Sequence, residues 1–284
     1  MKFGVHTFLW TANYSPADES ILPAIREHGF DGVEIPIFRA ADLPAAAIRC
    51  GLDRAGLECT VSAVLMPGLS VLSDDAGVRR TTQTHLEECV KAVAEVGSRL
   101  LVGPMYSPVG YLPGRRRTGD EWKRAVDAYR ALGPVLAANG VTLALEPLNR
   151  FETYFLNTAM DAVALAAEVD HPNVGLLIDT FHANIEEKDV AAAFRAAGPW
   201  IKHVHTCEND RGTPGTGHVD WAGVFGALRD IRYDGWLTIE SFGFAVGGIS
   251  AAASIWRDLA PTADSIAFDG IRFLKKQAAM AWES

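Results

Sequence analysis

Four side chains in the second half of the chain share one local context. Glu146 follows an apolar run at 142–145, Asp179 follows one at 174–178, His205 closes one at 201–205, and Glu240 follows one at 236–239. Each therefore stands at the C-terminal end of a short segment rich in β-formers. Any one such acid could simply cap the next helix. Four in succession at equivalent positions imply more, because strands closed into a cylinder bring neighbouring ends within reach of one ion. Three carboxylates and an imidazole form a hard, oxygen-rich donor set that favours Mn²⁺, Mg²⁺ or Co²⁺ over a thiolate-bound structural zinc. The three negative charges exceed the two positive charges of such an ion, so a nearby cation would help a developing oxyanion to form. His182 in Asp179-Thr-Phe-His182 and Arg211 in Glu208-Asn-Asp-Arg211-Gly lie on the loops after two of these strands and are placed to supply it.

Other residues near strand ends carry weaker signals. His203 shares a strand face with His205, since side chains two apart point the same way, and it reads as a core histidine outside the site. Glu34, late in the run 32–37, reads equally as a polar group at the rim or as a substrate contact. His6, Phe8 and Trp10 read as aromatic packing at the barrel mouth, with the wall of a small-molecule pocket as the alternative.

The elements that must position these groups follow a regular order. β-Forming runs at 3–8, 32–37, 58–63, 99–102, 142–145, 174–178, 201–205 and 236–239 alternate with stretches of helical spacing at 20–28, 78–96, 121–138, 158–169 and 221–230. His28-Gly29-Phe30, Val96-Gly97 and Asn139-Gly140-Val141 place a glycine where a helix should end and a strand begin. Strict β-then-α order calls for parallel strands with right-handed crossovers, and eight such units close most naturally into a barrel. An open doubly wound sheet would call for GxGxxG after the first strand, which is absent. The expected fold class is α/β: a single (β/α)8 TIM barrel. It is expected to form one domain over residues 1–284, with an extra C-terminal helix after residue 249 and the active site at the C-terminal ends of strands five to eight.

Composition narrows the partners. A formal net charge of −9 repels phosphate backbones, so no nucleic-acid partner is expected without a dense basic patch. The one dense run is Arg115-Arg116-Arg117, flanked by Pro113, Gly114, Thr118 and Gly119, the composition of an exposed loop. Contact with a partner subunit or with an anionic substrate tail is the alternative for that run. Cys50, Cys59, Cys89 and Cys207 form no CxxC pair and read as reduced thiols. The opening MKFGVHTFLW is too short and too interrupted for a signal peptide, and no stretch reaches membrane-spanning length without charge. The expectation is a cytoplasmic enzyme with no membrane partner.

Glu146-Pro-Leu-Asn-Arg-Phe-Glu152, Asp179-Thr-Phe-His182, His203-Val-His205-Thr-Cys-Glu-Asn-Asp-Arg211-Gly-Thr-Pro-Gly-Thr-Gly217 and Ile239-Glu240-Ser-Phe together make the chain resemble the D-tagatose 3-epimerase family, which includes the D-psicose (allulose) 3-epimerases. The resemblance spans nearly the whole chain and is densest from about residue 142 to 242. It implies a metal-dependent sugar epimerase that inverts C3 of a ketose by deprotonation and reprotonation through a metal-stabilised cis-enediolate. It implies that Glu146, Asp179, His205 and Glu240 bind one divalent ion, Mn²⁺ foremost, with no organic cofactor. It further implies that Glu146 and Glu240 exchange protons with C3 from opposite faces, and that Glu152, His182 and Arg211 hold the oxygens at C1 to C3. A homodimer or homotetramer is expected on the same ground. One departure is local: members often carry a tryptophan on the loop after strand four, where this chain reads Gly103-Pro-Met-Tyr-Ser-Pro108.

Rival readings on the same scaffold are aldose–ketose isomerisation and dehydration of a polyol ketone, which use the same ligands. A metal-dependent nuclease fits less well, since it needs several metals and a basic face. A non-catalytic sugar-binding protein would have little use for two carboxylates around one ion.

Overall fold

The computed structural model describes residues 1–243 and 246–283. Among these, eight strands run parallel and close in sequence order: β1 (Lys2–His6), β2 (Gly32–Ile37), β3 (Glu58–Ala63), β4 (Leu100–Gly103), β5 (Thr142–Leu145), β6 (Val174–Asp179), β7 (Ile201–His205) and β8 (Trp236–Ile239). β8 pairs back onto β1 through Lys2–Trp236, Phe3–Leu237, Gly4–Thr238 and Val5–Ile239, so no sheet edge is left open. The (β/α)8 barrel expected from the alternation is what the chain forms.

The helices are α1 (Leu22–Glu27), α2 (Ala45–Ala55), α3 (Ala76–Glu95), α4 (Gly119–Asn139), α5 (Ala159–Val169), α6 (Thr180–Glu186), α7 (Val190–Ala197), α8 (Trp221–Asp230), α9 (Gly248–Ala252) and α10 (Ala263–Glu283). A helix does follow residue 249 as expected, but α10 packs on β8 and α8 and completes the ring as the helix of the eighth unit, so it is not additional to the barrel; its Ile266, Ile271 and Leu274 are buried. Gly29, Gly97 and Gly140 all adopt positive φ at the anticipated helix-to-strand turns. Gly103, at the mouth end of β4, also has a positive φ of 125°, and a Cβ there would collide with the Ala63 carbonyl. A side chain at that position would push β3 and β4 apart.

Strand parity divides the interior. Leu101, Leu143, Leu145 and Leu176 face the helices and join the large core between sheet and helix ring. Leu100, Val102, Ala144 and Leu177 form a separate apolar cluster that fills the lumen on the β4–β6 side, with Trp236 packed against it. The opposite side of the lumen is polar: His6, Glu34, Thr60, His203 and Thr238 are all buried there at 0–1% exposure.

The arginine run is only partly an exposed loop. Arg115 makes a paired contact with both oxygens of Glu121 at 3.0 and 2.8 Å. Arg117 bonds Asp161 and the Phe155 carbonyl, with its guanidinium 4.8 Å from the Trp122 ring. Glu121 also completes a capping box with Thr118 at the start of α4 and accepts from the Tyr154 hydroxyl. The Arg115 contact, against the opposing effect of burial, holds the Glu121 carboxyl down at about 2. A depressed folded-state value means stability that is complete above the ordinary carboxylate range and lost as pH falls toward 2. Glu121→Gln should therefore lower stability at pH 7 by about 1–2 kcal/mol. The gap from the native chain should close in denaturant titrations between about pH 4.5 and 2.

Candidate active site

Glu146, Asp179, His205 and Glu240 converge at the C-terminal mouth of the barrel, all buried, on or directly after β5, β6, β7 and β8. Each offers one donor atom, and the four atoms lie within 4.8 Å of one another. His205 Nδ1 is 3.8 Å from Glu146 Oε1, 4.0 Å from Asp179 Oδ2 and 3.4 Å from Glu240 Oε2. Ligands at about 2.1 Å around an octahedral ion stand about 3.0 Å apart when adjacent and about 4.2 Å apart when opposed, so these separations fit a single divalent cation. Two of the donors, Glu146 Oε1 and His205 Nδ1, are buried with no hydrogen-bond partner. A protein rarely leaves such atoms unpaired, and an ion would account for both. The donor set fits a divalent metal.

Asp179 does two things at once. Its Oδ1 accepts from the Phe181 N–H at 2.8 Å and caps α6, while Oδ2 faces the cluster. The capping and ligand readings of a strand-end acid are thus compatible, one oxygen for each.

Burial and neighbouring charge move the two glutamates in opposite directions. Burial raises the Glu146 carboxyl well above its usual range; His205 opposes this, while Glu240 and Asp179 reinforce it. Burial also acts upward on Glu240, but the His205 imidazole and the Arg211 guanidinium outweigh it and hold that carboxyl below the ordinary range.

Arg211 is held tightly. It has a positive φ of 67°, and its carbonyl accepts from the Ser241 hydroxyl. Nη1 lies 2.6 Å from Asp179 Oδ2, 2.8 Å from Glu240 Oε2 and 3.0 Å from Cys207 Sγ. The guanidinium carbon is 4.2 Å from the Phe181 ring and 5.3 Å from that of Phe242. His182 Nδ1 accepts from the Asn149 backbone N–H at 3.1 Å, which leaves the proton of a neutral ring on Nε2. That nitrogen is 3.1 Å from Arg211 Nη2. Two N–H donors cannot satisfy each other, so both remain available to an oxygen lodged between them. Glu152 lines the same cavity, its Oε1 accepting from Asn149 Nδ2 at 2.8 Å.

The rest of that cavity is apolar. Phe8, Phe38, Val64, Pro104, Leu148 and Phe242 line it beside the polar groups. A larger groove of about 500 Å³, bordered by Ser73, Asp74, Tyr111, Arg115, Glu121 and Arg124, holds none of the converging ligands. Arg115 and Arg124 there are bonded within the chain, to Glu121 and to the Leu72 carbonyl. The mouth of the barrel is where the chemistry is concentrated.

Several side chains stand elsewhere than their strand positions suggest. Phe8 does wall the cavity, but His6 lies beneath it, with Nε2 2.7 Å from Ser62 Oγ, and Trp10 turns away to bond Asp264. Glu34 is neither at the rim nor on the pocket wall. It is fully buried in the lumen, with Oε1 2.7 Å from His205 Nε2 and Oε2 accepting from Thr60 Oγ1 at 2.7 Å. His203 is buried as expected, and its Nε2 is 2.9 Å from Glu34 Oε2. The alternation of strand residues shows that Glu34 faces inward, but nothing in the sequence pairs it with a histidine 171 positions away.

A sequence model of the xylose isomerase-like TIM barrel family matches residues 22–277. A probable ketose 3-epimerase of Synechocystis sp. is 38% identical over 97% of this chain and 96% of its own length. A D-psicose 3-epimerase of Ruminiclostridium cellulolyticum is 32% identical over 95% and 93%. The crystal structure of a D-allulose 3-epimerase from Methylomonas sp. in complex with D-allulose superposes with a TM-score of 0.92 at 31% identity, covering 98% of this chain and 97% of that one. No helix among the described residues is long and apolar enough to cross a membrane. Barrel, converging cluster and full-length similarity agree: the chain belongs to the xylose isomerase-like TIM barrel family and, within it, to the ketose 3-epimerases, which makes it an isomerase.

Proposed function

We propose that this enzyme inverts C3 of an unphosphorylated ketose, with Glu146 and Glu240 as the two proton-exchanging groups. The observation that carries the reading is the placement of these two carboxylates. They come from strands three apart in the barrel, line one cavity, and both reach within 4 Å of the same His205 nitrogen. A ketose seated among them would present opposite faces of C3 to the two acids. Removing the C3 proton leaves charge on the neighbouring oxygens, and returning a proton from the other side inverts the carbon without a redox cofactor. A divalent ion held by Glu146, Asp179, His205 and Glu240, which we take to be Mn²⁺ with Mg²⁺ or Co²⁺ able to substitute, would supply Lewis-acid stabilisation of that charge. His182 and Arg211 direct N–H groups at sugar oxygens, and Glu152 accepts from a hydroxyl.

The apolar part of the cavity lining and the internal pairing of Arg115 and Arg117 support a substrate with no phosphate. Among the described residues that line the cavity the one arginine or lysine, Arg211, is held by Asp179 and Glu240, so a terminal phosphate ester would add negative charge without an unpaired cation to meet it. Its kcat/KM should fall at least about tenfold below that of the free ketose, from the cost of burying an unpaired charge. Self-association as a homodimer or homotetramer belongs to the same reading, supported by exposed Tyr111, Leu112 and Phe151 on adjoining loops. A cytoplasmic setting is supported by four unpaired cysteines.

The test is a panel of fructose, tagatose, ribulose and xylulose with the Mn²⁺-loaded enzyme, products identified by NMR. C3 epimers are expected. Aldoses would favour isomerisation, and loss of water would favour the dehydratase alternative.

A further inference from the structure

We infer that Glu34 is a positioning residue for the metal centre: from inside the lumen it fixes the tautomer and the ring orientation of His205. The inference rests on the proposed ligand set. An imidazole can offer a lone pair from only one nitrogen while the other carries hydrogen. A carboxylate only accepts, so the 2.7 Å contact of Glu34 Oε1 with His205 Nε2 assigns the proton to Nε2. The lone pair is thereby left on Nδ1, the buried nitrogen with no hydrogen-bond partner that faces Glu146, Asp179 and Glu240.

The carboxylate itself is held by Thr60 on β3, which donates to Oε2 at 2.7 Å. His203 on β7 packs its Nε2 2.9 Å from the same oxygen without the alignment of a hydrogen bond. Glu34, Thr60, His203 and His205 are each no more than 1% exposed. A buried carboxylate is a costly way to fill space, and an apolar side chain would pack the lumen as Leu100, Val102 and Leu177 do on the other side. What a carboxylate provides, and an amide does not, is an obligate acceptor. A glutamine could rotate its NH₂ toward His205 and draw the proton to Nδ1, where an ion could no longer bind. Outer-shell partners of this kind typically change metal affinity by about 10- to 100-fold.

Glu34→Gln is nearly isosteric and is the variant of choice. Mn²⁺ titration of the metal-free protein, followed by EPR, should show affinity lowered about 10- to 100-fold. Thermal unfolding of the metal-free variant should stay near that of the native chain, and kcat should recover at saturating Mn²⁺, which a general packing defect would not allow. Unchanged Mn²⁺ affinity would overturn the positioning role while leaving the ligand set intact. Absence of tight Mn²⁺ binding in the native protein would overturn the ligand set as well. Should the variant fail to fold, ¹⁵N NMR of the metal-free native protein decides, because an ion on Nδ1 would itself force the proton to Nε2. A protonated Nε2 on His205 is expected, and a protonated Nδ1 would end the inference.

Discussion

Glu240→Gln should lower kcat by about 10²- to 10⁴-fold, the range a positioned general acid or base contributes. Ketose affinity should change little, because the amide keeps the shape of the side chain and the oxygen-holding groups remain in place. Glutamine cannot take up a proton at neutral pH, but its carbonyl oxygen can still face the cluster. Arg211 would lose one of its two carboxylate partners and keep Asp179 Oδ2 at 2.6 Å. Steady-state kinetics combined with calorimetric ketose binding separates the two effects. A variant with near-native kcat would remove Glu240 from the proton-transfer role, and one that no longer binds ketose would reassign it to binding.

Removal of the ion should be at least as damaging. A hydrogen beside a ketone is a weak acid because its loss puts charge on oxygen, and offsetting that charge is worth several kcal/mol, or about 10³-fold in rate. Chelation should abolish turnover to that extent, with Mn²⁺, Co²⁺ or Mg²⁺ restoring it. Asp179→Asn is the matching variant. Asparagine caps a helix as well as aspartate does, so the contact with the Phe181 N–H that starts α6 is kept while a charged ligand is lost. A chelated enzyme with full activity would show that the convergence of the four residues serves another purpose.

The site was readable where its logic is local to strand ends. Parallel strands in a barrel put their C-termini at one mouth, so an acid closing or following each of β5, β6 and β8 and a histidine closing β7 could be grouped without knowing a single distance. Glu34 lacked any such signal. Its inward parity follows from the strand, but its contact with His205 depends on how β2 and β7 face each other across the lumen, which is a property of the closed barrel. The arginine run shows the same division. The capping box joins Thr118 and Glu121 three positions apart, a local contact, whereas Arg117 meets Asp161 only because α4 and α5 pack side by side. Helices α2, α6 and α7 escaped the periodicity reading, α6 and α7 because they have only seven and eight residues. α2 carries Gly51 in mid-helix and follows Pro44, and α6 begins directly on the strand-end aspartate.

Two carboxylates working on one carbon from opposite faces is the claim on which the rest depends, and hydrogen isotope exchange tests it most directly. Whichever ketose of the panel turns over, incubated in D₂O with the Mn²⁺-loaded enzyme, should yield product with inverted C3, deuterium at C3 and none at C1. Deuterium at C1, or inverted product that keeps the original hydrogen at C3, would contradict it.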